Sequence, residues 1–331
     1  MPTALVTGAT GMVGSHICEQ LLLDGWSVRA MVRDEARARA LGESGVSLAL
    51  GDVLDISAFT RAARGCDAIF HNAALIVGGS SGWDQYRKLN VDGTRHAVDA
   101  AAAIGARLVQ LSSVAVYGAG GRYGDEPTDE SAPLAAGESD APYARSKRES
   151  EQLVLEAHDR GQIWATALRP PVVYGRNDRQ FIPRLARLFK SIGAPVVGGG
   201  RTTLSLVHAA NVADGVVRAA TSDLAGGRAY NLANDFDVTW REFVRFAGVG
   251  LGRTVRTVPI PAVIAGVAFG AGQTIMRLSG RGAAPTGGTL AFLTRDNPFT
   301  SERARRELGW SPQVRPETGV PDAFRWWSEH R

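Results

Sequence analysis

The sequence predicts an α/β fold: a doubly wound parallel sheet with a smaller, partly interleaved C-terminal lobe. Three observations point there. Short apolar runs alternate with helical patterns through the first half, a glycine-rich turn follows the first run, and the alternation loosens near Pro170. Leu5-Val6, Val28 to Val32, Leu48 to Leu50, Ala68 to Phe70, Leu108 to Leu111 and Ala165 to Leu168 read as strands buried on both faces. Ser15 to Leu23 and Thr94 to Ala103 have the spacing of helices between them. Alternation of this kind builds βαβ units with right-handed crossovers, hence a parallel sheet. After Pro170, glycine and proline punctuate the chain at Gly198-Gly199-Gly200, Pro259, Pro261 and Gly287-Gly288. Ala229 to Leu232 still reads as a strand able to rejoin the sheet.

Composition narrows the class. The 331 residues are enough for a substantial core, and 44% hydrophobic with 21% charged residues are ordinary for a soluble globular chain. The net charge is only +4, and no basic block with interleaved aromatics occurs, so no nucleic-acid partner is expected. Cys18 and Cys66 are the only cysteines and no metal-ligand spacing exists. No metal is expected, and a reduced, cytoplasmic setting fits. The chain opens straight into strand-like Ala4-Leu5-Val6, so no cleaved secretory signal is expected. Val258 to Met276 carries no charge. It reads either as helices around a pocket or as a membrane contact, and its prolines and glycines favour the pocket over stable insertion.

Thr7-Gly8-Ala9-Thr10-Gly11-Met12-Val13-Gly14 joins the first strand to the first helix. A sharp turn, a close approach to a pyrophosphate and tight helix packing each need glycine, and the helix N-terminus offers free N–H groups to phosphate. This placement predicts a dinucleotide site in a Rossmann-type sheet, held by Gly8, Thr10, Gly11, Met12, Val13 and Gly14. Residues 1–168 with about 203–233 are then the cofactor-binding domain, and 169–202 with 234–331 the substrate-binding lobe. The second strand ends in Arg33, whose guanidinium suits the 2′-phosphate of NADP, although Asp34 follows at once and NAD stays possible. Asp52, past the third strand, either bonds the adenine amine or caps the turn before Asp55.

Tyr143-Ala144-Arg145-Ser146-Lys147 sets a phenol and an ammonium on one helix face. A lysine cation lowers the pKa of a nearby phenol and makes it a usable acid/base. Ser113, in Leu111-Ser112-Ser113, leaves the sheet at a strand's carboxyl end, where its hydroxyl can bond a developing alkoxide. Asn90, early in a helix, either holds a backbone carbonyl or water in a proton relay or caps the helix.

These motifs together resemble the extended short-chain dehydrogenase/reductase family, within the NAD-dependent epimerase/dehydratase superfamily. Asp52-Val53, His71-Asn72-Ala73-Ala74, Val116-Tyr117-Gly118, Arg169 to Gly175, Pro298 to Ala304 and Leu308 to Pro312 extend the match over nearly the whole chain. The resemblance implies Ser113, Tyr143, Lys147 and Asn90 as the catalytic set. It implies hydride transfer at nicotinamide C4, a cofactor also touched by Val53, Ala73, Tyr143, Lys147, Pro170 and Val173, and a homodimer. Sugar-nucleotide members carry an arginine-aspartate pair where this chain has Leu204-Ser205, which removes a phosphate grip. Arg176, Arg179, Arg184, Arg187 and Lys190 are either a compensating clamp or a solvated helix face. Val28 to Asp34 is similar to the dihydroflavonol reductase-like branch, and Val258 to Met276 to the hydroxysteroid dehydrogenase-like branch. Both imply a medium-to-bulky hydrophobic ketone or aldehyde (or its alcohol) reduced with NADPH, with Trp83, Ser113 and Tyr174 as substrate contacts. The Gly78 to Trp83 loop and the Gly118 to Pro142 connection are expected to border the pocket. The alternatives are a nucleotide-sugar epimerase or dehydratase with an internal redox cycle, and a non-catalytic NADP-binding regulator.

Overall fold

Ala4, Leu5 and Val6 are wholly buried in the first strand, β1 (Thr3–Thr7), at the centre of a seven-stranded sheet. The computed structural model describes residues 1–76, 82–118, 127–135, 141–233, 236–261 and 296–330. The strands are β1, β2 (Ser27–Val32), β3 (Ser47–Leu50), β4 (Ala68–His71), β5 (Arg107–Leu111), β6 (Ala165–Arg169), β7 (Val172–Tyr174), β8 (Ala194–Val197), β9 (Leu206–His208), β10 (Ala229–Asn231) and β11 (Thr257–Ile260). Seven of them form one parallel sheet in the order β10-β6-β5-β4-β1-β2-β3. The run ending at Leu232 does rejoin the sheet, with Ala229 in register with Ala167. β3 departs from expectation: Ser47 and Leu50 are exposed because it is the sheet's edge strand. β7 pairs with β9, and β8 with β11, as two small parallel sheets.

The helices follow from the same periodicity. They are α1 (Met12–Leu23), α2 (Glu35–Glu43), α3 (Ile56–Ala63), α4 (Trp83–Tyr86), α5 (Gly93–Ile104), α6 (Pro142–Asp159), α7 (Phe181–Ser191), α8 (Ala209–Thr221), α9 (Trp240–Gly250), α10 (Glu302–Leu308) and α11 (Pro316–Glu329). One face of the sheet packs on Val13, Ile17 and Leu21 of α1 and on Val212, Val216 and Val217 of α8. The other packs on Phe59 of α3, Ala97 and Ala101 of α5 and Val154 of α6. A third cluster joins Tyr174, Phe189, Trp240, Phe243 and Phe324 among the C-terminal elements. Chain order reverses between β1 and β4, which opens a crevice at their carboxyl ends.

Beyond Pro261, the remainder of Val258 to Met276 lies outside the described residues, as do 77–81 and much of the Gly118 to Pro142 connection. Among the described residues no helix is long and apolar enough to cross a membrane.

Burial holds several histidines neutral. His71 and His208 are both pulled down to about 3 by desolvation, with Lys147 adding to the effect on His71 and His16 to that on His208. An unfolded histidine protonates near ~6.5 while the buried one does not, so each stabilises the fold fully above that pH and loses its contribution as pH falls towards the folded value. Unfolding free energies from urea titration are therefore expected to drop below about pH 6.5, by about 1.4 kcal/mol per pH unit for each such histidine. A flat stability between pH 7 and 5 contradicts this assignment.

Candidate active site

The turn after β1 is shaped by what its glycines omit. Gly8 adopts φ +67°, and a Cβ there would lie 2.8 Å from the Ala73 backbone nitrogen. A Cβ on Gly14 would run into the Gly8 carbonyl oxygen and come within 2.8 Å of Ala9 Cα. The Thr7 hydroxyl accepts the N–H groups of Asn72 and Ala73 (both 3.2 Å), and Asn72 Nδ2 donates to the Gly8 carbonyl, so the turn and the end of β4 are tied together. No side chain caps the N-terminus of α1, which leaves its N–H groups for a ligand. This cradle fits a dinucleotide pyrophosphate, and it opens into a cleft of about 1270 Å³.

Gly8, Thr10, Gly11, Met12 and Val13 line that cleft, as do Arg33, Asp52, Val53, Ala73, Pro170 and Val173. Gly14 does not line it; it packs α1 onto the turn. Asp34 is turned away from the cleft's ribose end: its carboxylate caps α2 by accepting the N–H groups of Ala36 and Arg37. Arg33 is free of that work, largely exposed, with a guanidinium nitrogen 4.0 Å from Asp52. Asp52 also accepts the Leu54 N–H, so one of its oxygens serves the turn.

Ser113, Tyr143 and Lys147 all line the cleft, and the Ser113 hydroxyl is hydrogen-bonded to the Tyr143 phenol. Tyr143 is placed by Pro142 at the first turn of α6, and Ser113 by the end of β5. Burial pushes the Tyr143 phenol up to about 12; a hydrogen bond from the Ser113 hydroxyl opposes this and Tyr86 adds to it. Lys147 is pulled down to about 8 by burial against the pull of Glu151, and its Nζ donates to the Leu111 carbonyl at 2.8 Å. Burial thus governs both groups, and Lys147 is not among the charges that move the phenol, contrary to the lowering expected of it.

Asn90 is buried inside a π-helical turn, Arg87–Asp92, rather than at a helix cap. Its Oδ1 accepts the Leu75 N–H (2.7 Å), and its Nδ2 donates to the Leu75 carbonyl and to Ser146 Oγ (3.0 and 2.8 Å). Ser146 in turn donates to the Tyr143 carbonyl. Asn90 therefore staples the segment after β4 to the first turn of α6. The hydroxyls of Ser112 and Ser205, both in the cleft wall, are buried with no hydrogen-bond partner among the described residues.

Two expected substrate contacts fall elsewhere. Tyr174 has no exposed surface; its ring meets His208 and Phe243, because β7 turns it into the C-terminal core. Trp83 stands outside the cleft beneath the Arg145 guanidinium, 3.8 Å from the ring centre. Phe181, which no sequence motif singled out, and Phe299, from the Pro298 to Ala304 motif, line the cleft instead. Glu151 and Arg169 form a buried ion pair one turn beyond Lys147, and Arg169 also donates to the Tyr117 hydroxyl at 2.7 Å.

Comparison with known proteins gives the following. Residues 4–233 match the model of the NAD dependent epimerase/dehydratase family. A 4-hydroxy-2-methyl-3-oxo-4-farnesyl-3,4-dihydroquinoline-1-oxide ketoreductase of Stigmatella aurantiaca is 32% identical over 326 residues, 97% of this chain and 95% of the relative. A 2-alkyl-3-oxoalkanoate reductase of Stenotrophomonas maltophilia is 32% identical over 331 residues, 96% of each chain. The crystal structure of gox2253 superposes with a TM-score of 0.80 at 27% identity, covering 100% of this chain and 99% of that one.

Proposed function

Since the chain belongs to the NAD-dependent epimerase/dehydratase family, which uses a nicotinamide dinucleotide, we propose that it is an NADPH-dependent reductase of a ketone or aldehyde on a medium-to-bulky hydrophobic substrate, reversible as an alcohol dehydrogenase. The observation that carries this reading is that Ser113, Tyr143 and Lys147 line the same cleft as the glycine turn, together with the apolar rings of Phe181 and Phe299. The reductase names of the two relatives support it. In this reading residues 1–168 with about 203–233 carry the cofactor, and 169–202 with 234–331 close over the substrate.

Bound cofactor supplies a hydride at nicotinamide C4. The chain's own residues then manage the carbonyl oxygen. A phenol held near 12 stays protonated through neutral pH, so Tyr143 is ready to give its proton to that oxygen. Ser113 hydrogen-bonds the same oxygen, and the Lys147 ammonium stabilises the phenolate left behind. Asn90 and Ser146 fix the turn that carries Tyr143. Leu204 is packed in the C-terminal core where sugar-nucleotide members place an arginine, which weighs against a sugar-nucleotide substrate.

The test is oxidation of NADPH and of NADH against a panel of aromatic, steroidal and aliphatic ketones and aldehydes. Turnover with NADPH supports the proposal; silence across the panel with bound NADP(H) points to an internal redox cycle. Arg33→Asp is expected to weaken NADPH by about 10-fold or more relative to NADH, as loss of a charge-assisted contact implies. An unchanged ratio of the two affinities removes Arg33 from cofactor selection.

A further inference from the structure

Of the five basic residues between 176 and 190, three have no place in the cleft. Arg176 pairs with Glu19 of α1 at 3.1 Å, and Arg187 and Lys190 are exposed away from it. Arg179 and Arg184 line the cleft, and among the described residues neither has an ion-pair partner within 4.0 Å. The neighbouring carboxylates are already engaged. Asp178 accepts the N–H groups of Gln180, Phe181 and Ile182 at 2.7, 3.1 and 2.9 Å, and Asp296 accepts the Thr203 N–H at 2.7 Å. The start of α7 is thereby closed to an outside anion; Arg184 lies in the field of Asp178, yet neither guanidinium has a carboxylate within ion-pair distance among the described residues.

The cleft they line is otherwise largely apolar here. Phe181 lies one turn before Arg184 on α7, and Pro298, Phe299 and Val172 supply hydrocarbon around the same cleft, with the unpartnered Ser205 hydroxyl among them. Guanidiniums bind a carboxylate through paired N–H donors. A purely hydrocarbon ketone would have no use for them. We propose that the substrate is an apolar carbonyl compound that also bears a carboxylate, an oxo acid, and that Arg179 and Arg184 grip that carboxylate. This rests on the reductase reading and narrows its substrate class.

The experiment is calorimetric binding of 3-hydroxyoctanoate and of its methyl ester to the full-length protein saturated with NADP⁺. The acid is expected to bind at least about 10-fold tighter than the ester. In the Arg179→Ala/Arg184→Ala variant that preference falls by about 10- to 100-fold, and lysine at both positions restores part of it. Both arginines are exposed, so the variants keep the fold. Equal affinity of acid and ester for the unaltered protein, no binding of either included, overturns the proposal. So does a double alanine variant that retains the preference, or one that loses NADP⁺ affinity with the preference intact, since the guanidiniums would then serve the cofactor's phosphates. Turnover of the same pair is read separately. Discrimination in binding without turnover sinks the reductase reading and leaves the carboxylate subsite standing.

Discussion

Tyr143→Phe is expected to cut kcat by about 10²–10⁴-fold while NADPH binding stays within a few-fold of the unaltered protein. The substitution removes one oxygen and keeps the ring. That ring lies edge-on to Tyr86, with centroids 6.4 Å apart, and phenylalanine preserves this packing. What disappears is the hydrogen bond with Ser113 and the only phenol in the catalytic group. The Lys147 ammonium is held independently by the Leu111 carbonyl, so its expected contact with the cofactor is kept. Steady-state kinetics with the best substrate of the panel, together with NADPH titration, check both halves. A variant that turns over at the original rate shows that another group protonates the carbonyl oxygen, and the proposed mechanism falls.

Much of the sheet was legible because strands buried on both faces are written as apolar runs, and β1, β2 and β4 to β6 are such strands. β3 was read as a strand too, at Leu48 to Leu50, but its exposure was not legible, because an edge strand leaves Ser47 and Leu50 to solvent and breaks that rule. Local motifs singled out the glycine turn after β1, Ser113 just past the end of β5, and Tyr143 and Lys147 one turn apart near the start of α6. The side-chain directions were a different matter. Tyr174 shares its motif with cleft-lining Val173, but the pleat sends neighbouring strand residues to opposite faces, and only the partners of β7 decide which face is core. Arg179 and Arg184 could not be told from Arg187 by spacing, because which flank of α7 meets the cleft is set by packing on Phe243 and Phe324. The relative burial of Tyr143 and Lys147, which sets both their pKa values, is likewise a property of the assembled cleft.

Glu151→Gln carries the largest expected loss of stability, and it separates two roles of one carboxylate. Glu151 and Arg169 have almost no exposed surface, and three hydrogen bonds join them, from Nε at 3.0 and 3.1 Å and from Nη2 at 2.5 Å. Arg169 continues the network to Tyr117, whose hydroxyl donates to Asn231 Oδ1 at 2.9 Å on β10. Removing the charge from Glu151 strands a guanidinium in a site closed to water, which typically costs about 3–5 kcal/mol. The same carboxylate stands one helical turn beyond Lys147 and holds its pKa up against burial. Without it the ammonium loses its proton at still lower pH, so the alkaline limb of the pH–rate profile is expected to move below about 8. Stability alone could reflect packing. Replacing both partners, as in Glu151→Leu/Arg169→Met, is expected to recover most of the lost stability because no unpaired charge remains. The displaced alkaline limb should persist in that double variant, since the field at Lys147 is still missing. If the limb returns to its original position along with stability, Glu151 acts only by holding the fold, and Lys147 owes its protonation to something else.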